Sequence, residues 1–134
     1  MNKLKFVQLN LHNNKQANSN LYKYIIENNI DICLLQEPYL YKNIISGFPL
    51  TFKYISIEIN PRSIILLCNN ELITTKINSL TNKYMSSIYL NINNEDYPII
   101  NCYFPPSLND NEISNYLNLI NIHLTPSLIN KLIL

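Results

Sequence analysis

Asn10, Glu37 and Tyr103 each follow directly on a strong apolar run: Phe6 to Leu9, Ile30 to Gln36, and Pro98 to Cys102. In α/β sheets, polar residues at such strand ends line the crevice where ligands bind. An amide, a carboxylate and a phenol converging there suit phosphodiester chemistry. Glu37 can hold Mg²⁺ or Mn²⁺, Asn10 can orient that carboxylate or a metal-bound water, and Tyr103 can donate to a phosphate oxygen. The same residues admit a structural reading, in which Glu37-Pro38 starts a turn, Asn10 caps a loop and Tyr103 packs at the sheet rim. Spacing alone favours the structural reading, because strand-end polar residues are common and metal sites are not.

Three further residues have adequate explanations outside such a site. His12, in the loop after the first strand, reads as a solvated histidine. Arg62, at a strand entry, reads as a side chain snorkelling over apolar surface rather than a contact to a phosphate backbone. His123 sits near a helix C-terminus, where its charge is favourably placed. None of the three is assigned a catalytic role. Cys33, Cys68 and Cys102 lie far apart in apolar stretches without a CxxC pair, so they read as buried, reduced thiols and point to a reducing compartment.

The elements that must position the three candidates are legible from periodicity. Lys5 to Asn10 alternates as a strand, Lys15 to about Asn28 has helical period, and Ile30 to Gln36 is a nearly unbroken apolar run closed by Glu37-Pro38. Strand, helix and buried strand make a βαβ unit, which implies a parallel pair with the helix on one sheet face. Beyond Pro38, the segments Thr51 to Ile57, Ser63 to Cys68, Leu72 to Ile77, Tyr84 to Ile92 and Tyr97 to Tyr103 read as strands. The short turns Asn69 to Glu71 and Asn93 to Asp96 predict antiparallel neighbours. Asn109 or Asp110 can cap a helix in which Ile113, Tyr116, Leu117 and Ile120 share a face. A last apolar run spans Leu128 to Leu134. The expected fold class is α/β, a mixed sheet with the helices on one face.

Composition excludes more than it assigns. The chain has 134 residues, 47% hydrophobic and 14% charged, enough for one globular core. Asn and Ile together make up about a third of it, which we read as the imprint of an A/T-rich coding sequence; the Asn is scattered between apolar runs rather than gathered in a low-complexity tract. A formal charge of +1 gives no basic footprint and decides nothing about a nucleic-acid partner. The single Gly47 rules out a glycine-rich phosphate cradle. No apolar run approaches membrane-spanning length, so a soluble, intracellular protein without a membrane partner is expected.

Three ordered segments carry a resemblance. Phe6-Val7-Gln8-Leu9-Asn10-Leu11-His12, followed by Ile30 to Tyr39 with its Leu34-Leu35-Gln36-Glu37-Pro38 core, resembles the start of the endonuclease domain of non-LTR retrotransposons. Arg62-Ser63-Ile64-Ile65-Leu66 and Asn101-Cys102-Tyr103-Phe104-Pro105-Pro106 resemble two later segments of that domain. The resemblance covers Lys5 to about Ile122. It implies the endonuclease/exonuclease/phosphatase superfamily, a four-layer α/β sandwich of which this chain is about half, and Mg²⁺-dependent nicking of DNA in the nucleus. It makes Glu37 the metal-ligating glutamate, Asn10 the active-site asparagine beside the metal, and Tyr103 the tyrosine on the scissile phosphate. The family's Gly-Asp-x-Asn motif and closing Asp-His pair do not occur here. Residues 1–134 therefore read as a truncated domain lacking its C-terminal half, inactive as a fragment. Its expected partners are DNA in the complete domain, and the missing half or a second copy. The other readings are an inert transposon remnant and an unrelated small α/β binding module.

Overall fold

The computed structural model describes residues 3–124; the apolar run from Leu128 to Leu134 lies outside the described residues. Strand β1 (Phe6–Asn10), helix α1 (Lys15–Asn28) and strand β2 (Ile32–Gln36) form the expected unit, with β1 and β2 parallel. Asn14 caps α1, its side-chain oxygen accepting from the N–H groups of Gln16 and Ala17. Asn29 ends the helix in the left-handed conformation that an asparagine tolerates better than most residues. A small hairpin follows, β3 (Leu40–Tyr41) with β4 (Ile44–Ile45); then come β5 (Lys53–Ile55) and β6 (Ser63–Leu67). Both β5 and β2 pair antiparallel with β6, giving a mixed four-stranded sheet of order β1-β2-β6-β5.

The remaining strands, β7 (Ile73–Lys76), β8 (Met85–Ile92) and β9 (Glu95–Cys102), form a separate antiparallel sheet. Asn93 and Asn94 both have positive φ and close a two-residue turn between β8 and β9, the primed-turn geometry that matches strand twist. The turn at Asn69 to Glu71, expected to join neighbouring strands, instead carries the chain from one sheet to the other. Helix α2 (Asp110–His123) closes the described fold, with a capping box between Asn109 and Glu112.

Alternation along the strands explains the layering. Ile32, Leu34, Ile65 and Leu67 point inward and pack on Ile88, Leu90 and Ile99 of the second sheet. Their neighbours Cys33, Leu35, Ile64 and Leu66 point outward and pack under Leu21 and Ile25 of α1. On the far side, Met85 and Ile100 pack with Ile120 of α2 and with Leu80 and Leu124. The order of layers is helix, sheet, sheet, helix. The α/β class with a mixed sheet therefore holds, and one detail is corrected: each helix covers one face, but of a different sheet, because the chain changes sheets between β6 and β7.

The inner face of β2 and β6 is covered by the chain's own β8 and β9. What stays open is the β1 side, where Phe6 and Leu9 are 37% and 40% exposed. Among the described residues, no helix is long and apolar enough to cross a membrane.

Candidate active site

The strand ends that carry the three candidates meet at one end of the sandwich. In register, Asn10 lies beside Gln36, and Gln36 lies opposite Ser63. The next residue on each side is then Glu37 facing Arg62, and the main-chain N–H of Glu37 donates to the Arg62 carbonyl at 2.9 Å. The Glu37 carbonyl accepts from Asn13 N–H at 2.8 Å. Held from both neighbours, Glu37 adopts φ +47, a left-handed conformation that is uncommon for a residue with a long side chain. By the alternation of β2 its side chain would face α1. The turn instead brings the carboxylate to Tyr103, which follows the inward positions Ile99 and Asn101 of β9.

Tyr103 lies close enough for its phenol and the Glu37 carboxylate to perturb each other's ionisation, so the two residues, expected to converge, come together across the two sheets. The Tyr103 main chain is fixed by its N–H donating to the Tyr84 carbonyl at 2.8 Å. Asn10 stands at the adjacent end of β1, with its side-chain oxygen accepting from His12 N–H at 2.8 Å. That bond closes the loop between β1 and α1, as the structural reading of Asn10 expects, and leaves the oxygen a second lone pair.

Sequence reasoning passed over Arg62. Its Nη2 forms an ion pair with Glu37 Oε1, and its guanidinium carbon lies 5.1 Å from the centre of the Tyr103 ring. Snorkelling alone does not describe it. The signal that could have found it is register: once β2 and β6 are antiparallel neighbours with Gln36 opposite Ser63, the residues just beyond must be Glu37 and Arg62. His12 contributes a further favourable charge interaction with Glu37.

The electrostatics follow from these contacts. The Arg62 guanidinium and the Tyr103 hydroxyl hold the Glu37 carboxyl below the usual carboxylate range, against the opposing effect of partial burial. Loss of solvent, and then the neighbouring Glu37 carboxylate, push the Tyr103 phenol up, with Arg62 opposing. At neutral pH the site therefore holds an ionised carboxylate and a protonated phenol.

A buried polar network braces this end of the sandwich. Gln36 Nε2 donates to Asn101 Oδ1 at 2.7 Å, and Asn101 Nδ2 donates to the Leu35 and Ile64 carbonyls at 2.9 and 3.0 Å. Ser63 Oγ donates to the Asn101 carbonyl at 2.8 Å and lies 2.8 Å from Ser86 Oγ. Gln36 directly precedes Glu37 and Asn101 is two residues before Tyr103, so the network fixes the spacing of the two sheets beneath the site.

Among the described residues, no three His, Cys, Asp or Glu side chains gather where they could hold a metal ion. A caged zinc or calcium centre is not what these donors suit. Mg²⁺ is different, because it keeps several waters and is commonly held through one or two carboxylates together with substrate phosphate. Glu37 offers an anionic oxygen of that kind; Asn10 stands one strand away in register with Gln36, its side-chain oxygen accepting from His12 N–H.

No family model and no curated protein matches this sequence. Among solved structures, the chain is similar to the endonuclease domain of TRAS1, a telomere-specific non-LTR retrotransposon, with a TM-score of 0.80 and 16% sequence identity. The match covers 97% of this chain and 56% of that one, so the chain spans little more than half the length of that domain. At this identity the likeness is one of fold, and it is the fold that the sequence resemblance implies. Over almost its whole length, this chain has the architecture of a non-LTR retrotransposon endonuclease domain.

Proposed function

We propose that the chain forms the metal- and phosphate-binding part of a Mg²⁺-dependent DNA phosphodiesterase site. The observation that carries this reading is the Arg62 guanidinium seated on both the Glu37 carboxylate and the Tyr103 ring, which places a carboxylate and a phenol together at one end of a nuclease-type fold. Glu37 would be the anionic ligand, with Asn10 beside it as a neutral ligand or as the group orienting a metal-bound water. A bound Mg²⁺ would polarise the phosphate and stabilise the leaving oxygen. Tyr103, kept protonated, has a hydrogen to donate to a phosphate oxygen.

The sequence contains no Gly-Asp-x-Asn run and no Asp-His pair, so the residues in hand bind phosphate but do not orient an attacking water. In-line attack requires both. We infer that the 134-residue chain binds DNA in a Mg²⁺-assisted way and does not itself nick it.

Fluorescence anisotropy with a short labelled DNA duplex tests this, with plasmid nicking measured in parallel. Mg²⁺ should tighten DNA binding by the wild-type chain, Glu37→Gln should remove that gain, and Tyr103→Phe should weaken binding in both conditions. Supercoiled plasmid should stay intact. A Mg²⁺ gain that survives Glu37→Gln removes Glu37 as the ligand. Nicking that disappears with Glu37→Ala would mean that the chain holds a complete active site.

A further inference from the structure

Glu37 already has a cation. Arg62 is paired with its carboxylate, and the main-chain bond from Glu37 N–H to Arg62 O, 2.9 Å long, keeps the two residues opposite each other whatever their side chains do. The guanidinium also lies over the Tyr103 ring at 5.1 Å. Its side chain is 32% exposed against 14% for Glu37, so it has open space on one side.

We propose that Arg62 is an exchangeable counter-cation: it occupies Glu37 in the free protein, gives way when a divalent cation binds there, and then takes a phosphodiester oxygen. This rests on reading Glu37 as the metal ligand. Charge balance drives the exchange. Glu37 and Arg62 together are neutral, so adding a dication beside them leaves a net charge of +2 in a small volume. Like charges at such separation repel, and the flexible, partly exposed guanidinium is the partner able to move. The Tyr103 ring gives it a resting place that keeps it at the site after the carboxylate is released. From there its planar fork of donors matches a phosphate, and the monoanionic diester restores part of the charge balance. Arg62 and the metal therefore compete for Glu37, whereas DNA and the metal favour each other's binding. A residue that merely packed over the sheet rim would do neither.

The test measures metal binding apart from any catalysis. Free Mn²⁺ is followed by electron paramagnetic resonance during titration of wild type, Arg62→Met, Arg62→Lys and Glu37→Gln, each checked for a cooperative melt. DNA binding is read by anisotropy on the same proteins at saturating Mn²⁺. Arg62→Met should bind Mn²⁺ about fivefold more tightly and DNA more weakly, a pair of opposite changes from one substitution. Arg62→Lys should return Mn²⁺ affinity to near the wild-type level, and Glu37→Gln should abolish binding. Should Arg62→Met fail to fold, Arg62→Gln, which keeps polarity and loses charge, replaces it. Unchanged or weaker Mn²⁺ affinity in Arg62→Met, with Glu37→Gln still abolishing binding, overturns the exchange and leaves Glu37 as the ligand. An Arg62→Lys protein that behaves like Arg62→Met overturns it as well, since charge would not be the cause. Mn²⁺ binding that survives Glu37→Gln overturns both the exchange and the ligand assignment.

Discussion

Glu37 and Arg62 are joined twice across β2 and β6, once through the main chain at 2.9 Å and once through their side chains. The main-chain bond fixes where the carboxylate starts, and the ion pair fixes where it points.

The ion pair has a pH signature. Because Arg62 and Tyr103 hold the folded Glu37 carboxyl below its usual value, the contribution is fully present above the unfolded pKa of about 4.3. It is lost as pH falls through the lower, folded value. At pH 7 the wild type should be more stable than Glu37→Gln by up to about 1 kcal/mol, a modest figure for a partly exposed pair. Urea melts repeated at decreasing pH should show this difference closing below about pH 4.3. A difference that persists unchanged in acid would mean that charge is not its source.

The left-handed backbone at Glu37, φ +47, predicts an inverted order of two small substitutions. Elsewhere in a strand, Gly is less stable than Ala by about 0.5–1 kcal/mol. Here Ala keeps the steric cost of positive φ and Gly does not, so Glu37→Gly should be the more stable by about 0.5–1 kcal/mol. Chemical denaturation of the two variants decides it. Ala equal to or above Gly would mean that position 37 does not hold this conformation in solution.

Asn101 is 2% exposed and makes three side-chain hydrogen bonds, to Gln36 and to the Leu35 and Ile64 carbonyls. Asn101→Ala strands those partners in the interior and should cost about 2–4 kcal/mol. Asn101→Asp should cost at least as much despite its shape, since a carboxylate cannot donate to two carbonyls and is buried without a cation. A loss below about 0.5 kcal/mol, the size of an ordinary surface change, would contradict a bracing role for this network.

Elements with a local chemical signature were legible from sequence. The period of Lys15 to Asn28 gave α1 with the bounds observed, and Asn93-Asn94 marked the β8–β9 hairpin. Other features depend on long-range pairing. The turn at Asn69 to Glu71 has the same composition whether it joins two neighbours or crosses between sheets, so the division into two sheets was hidden. The β3–β4 hairpin escaped because its strands are two residues long and Lys42, at φ +51, is no turn former. At the site, the strand-end positions of Asn10, Glu37 and Tyr103 could be read from single runs. Arg62 could not, because its place beside Glu37 exists only in the register of two strands 25 residues apart.

The most direct measurement is of where a divalent cation sits on the folded chain. Substoichiometric Mn²⁺ broadens amide resonances according to distance, and two-dimensional NMR of the labelled protein reads every residue at once. Selective broadening is expected at Asn10 to Asn13, Gln36 and Glu37, Arg62 and Tyr103, abolished by Glu37→Gln and displaced by excess Mg²⁺. Broadening centred on another acidic residue, such as Asp31, Asp96 or Asp110, or broadening unaffected by Glu37→Gln, would contradict it.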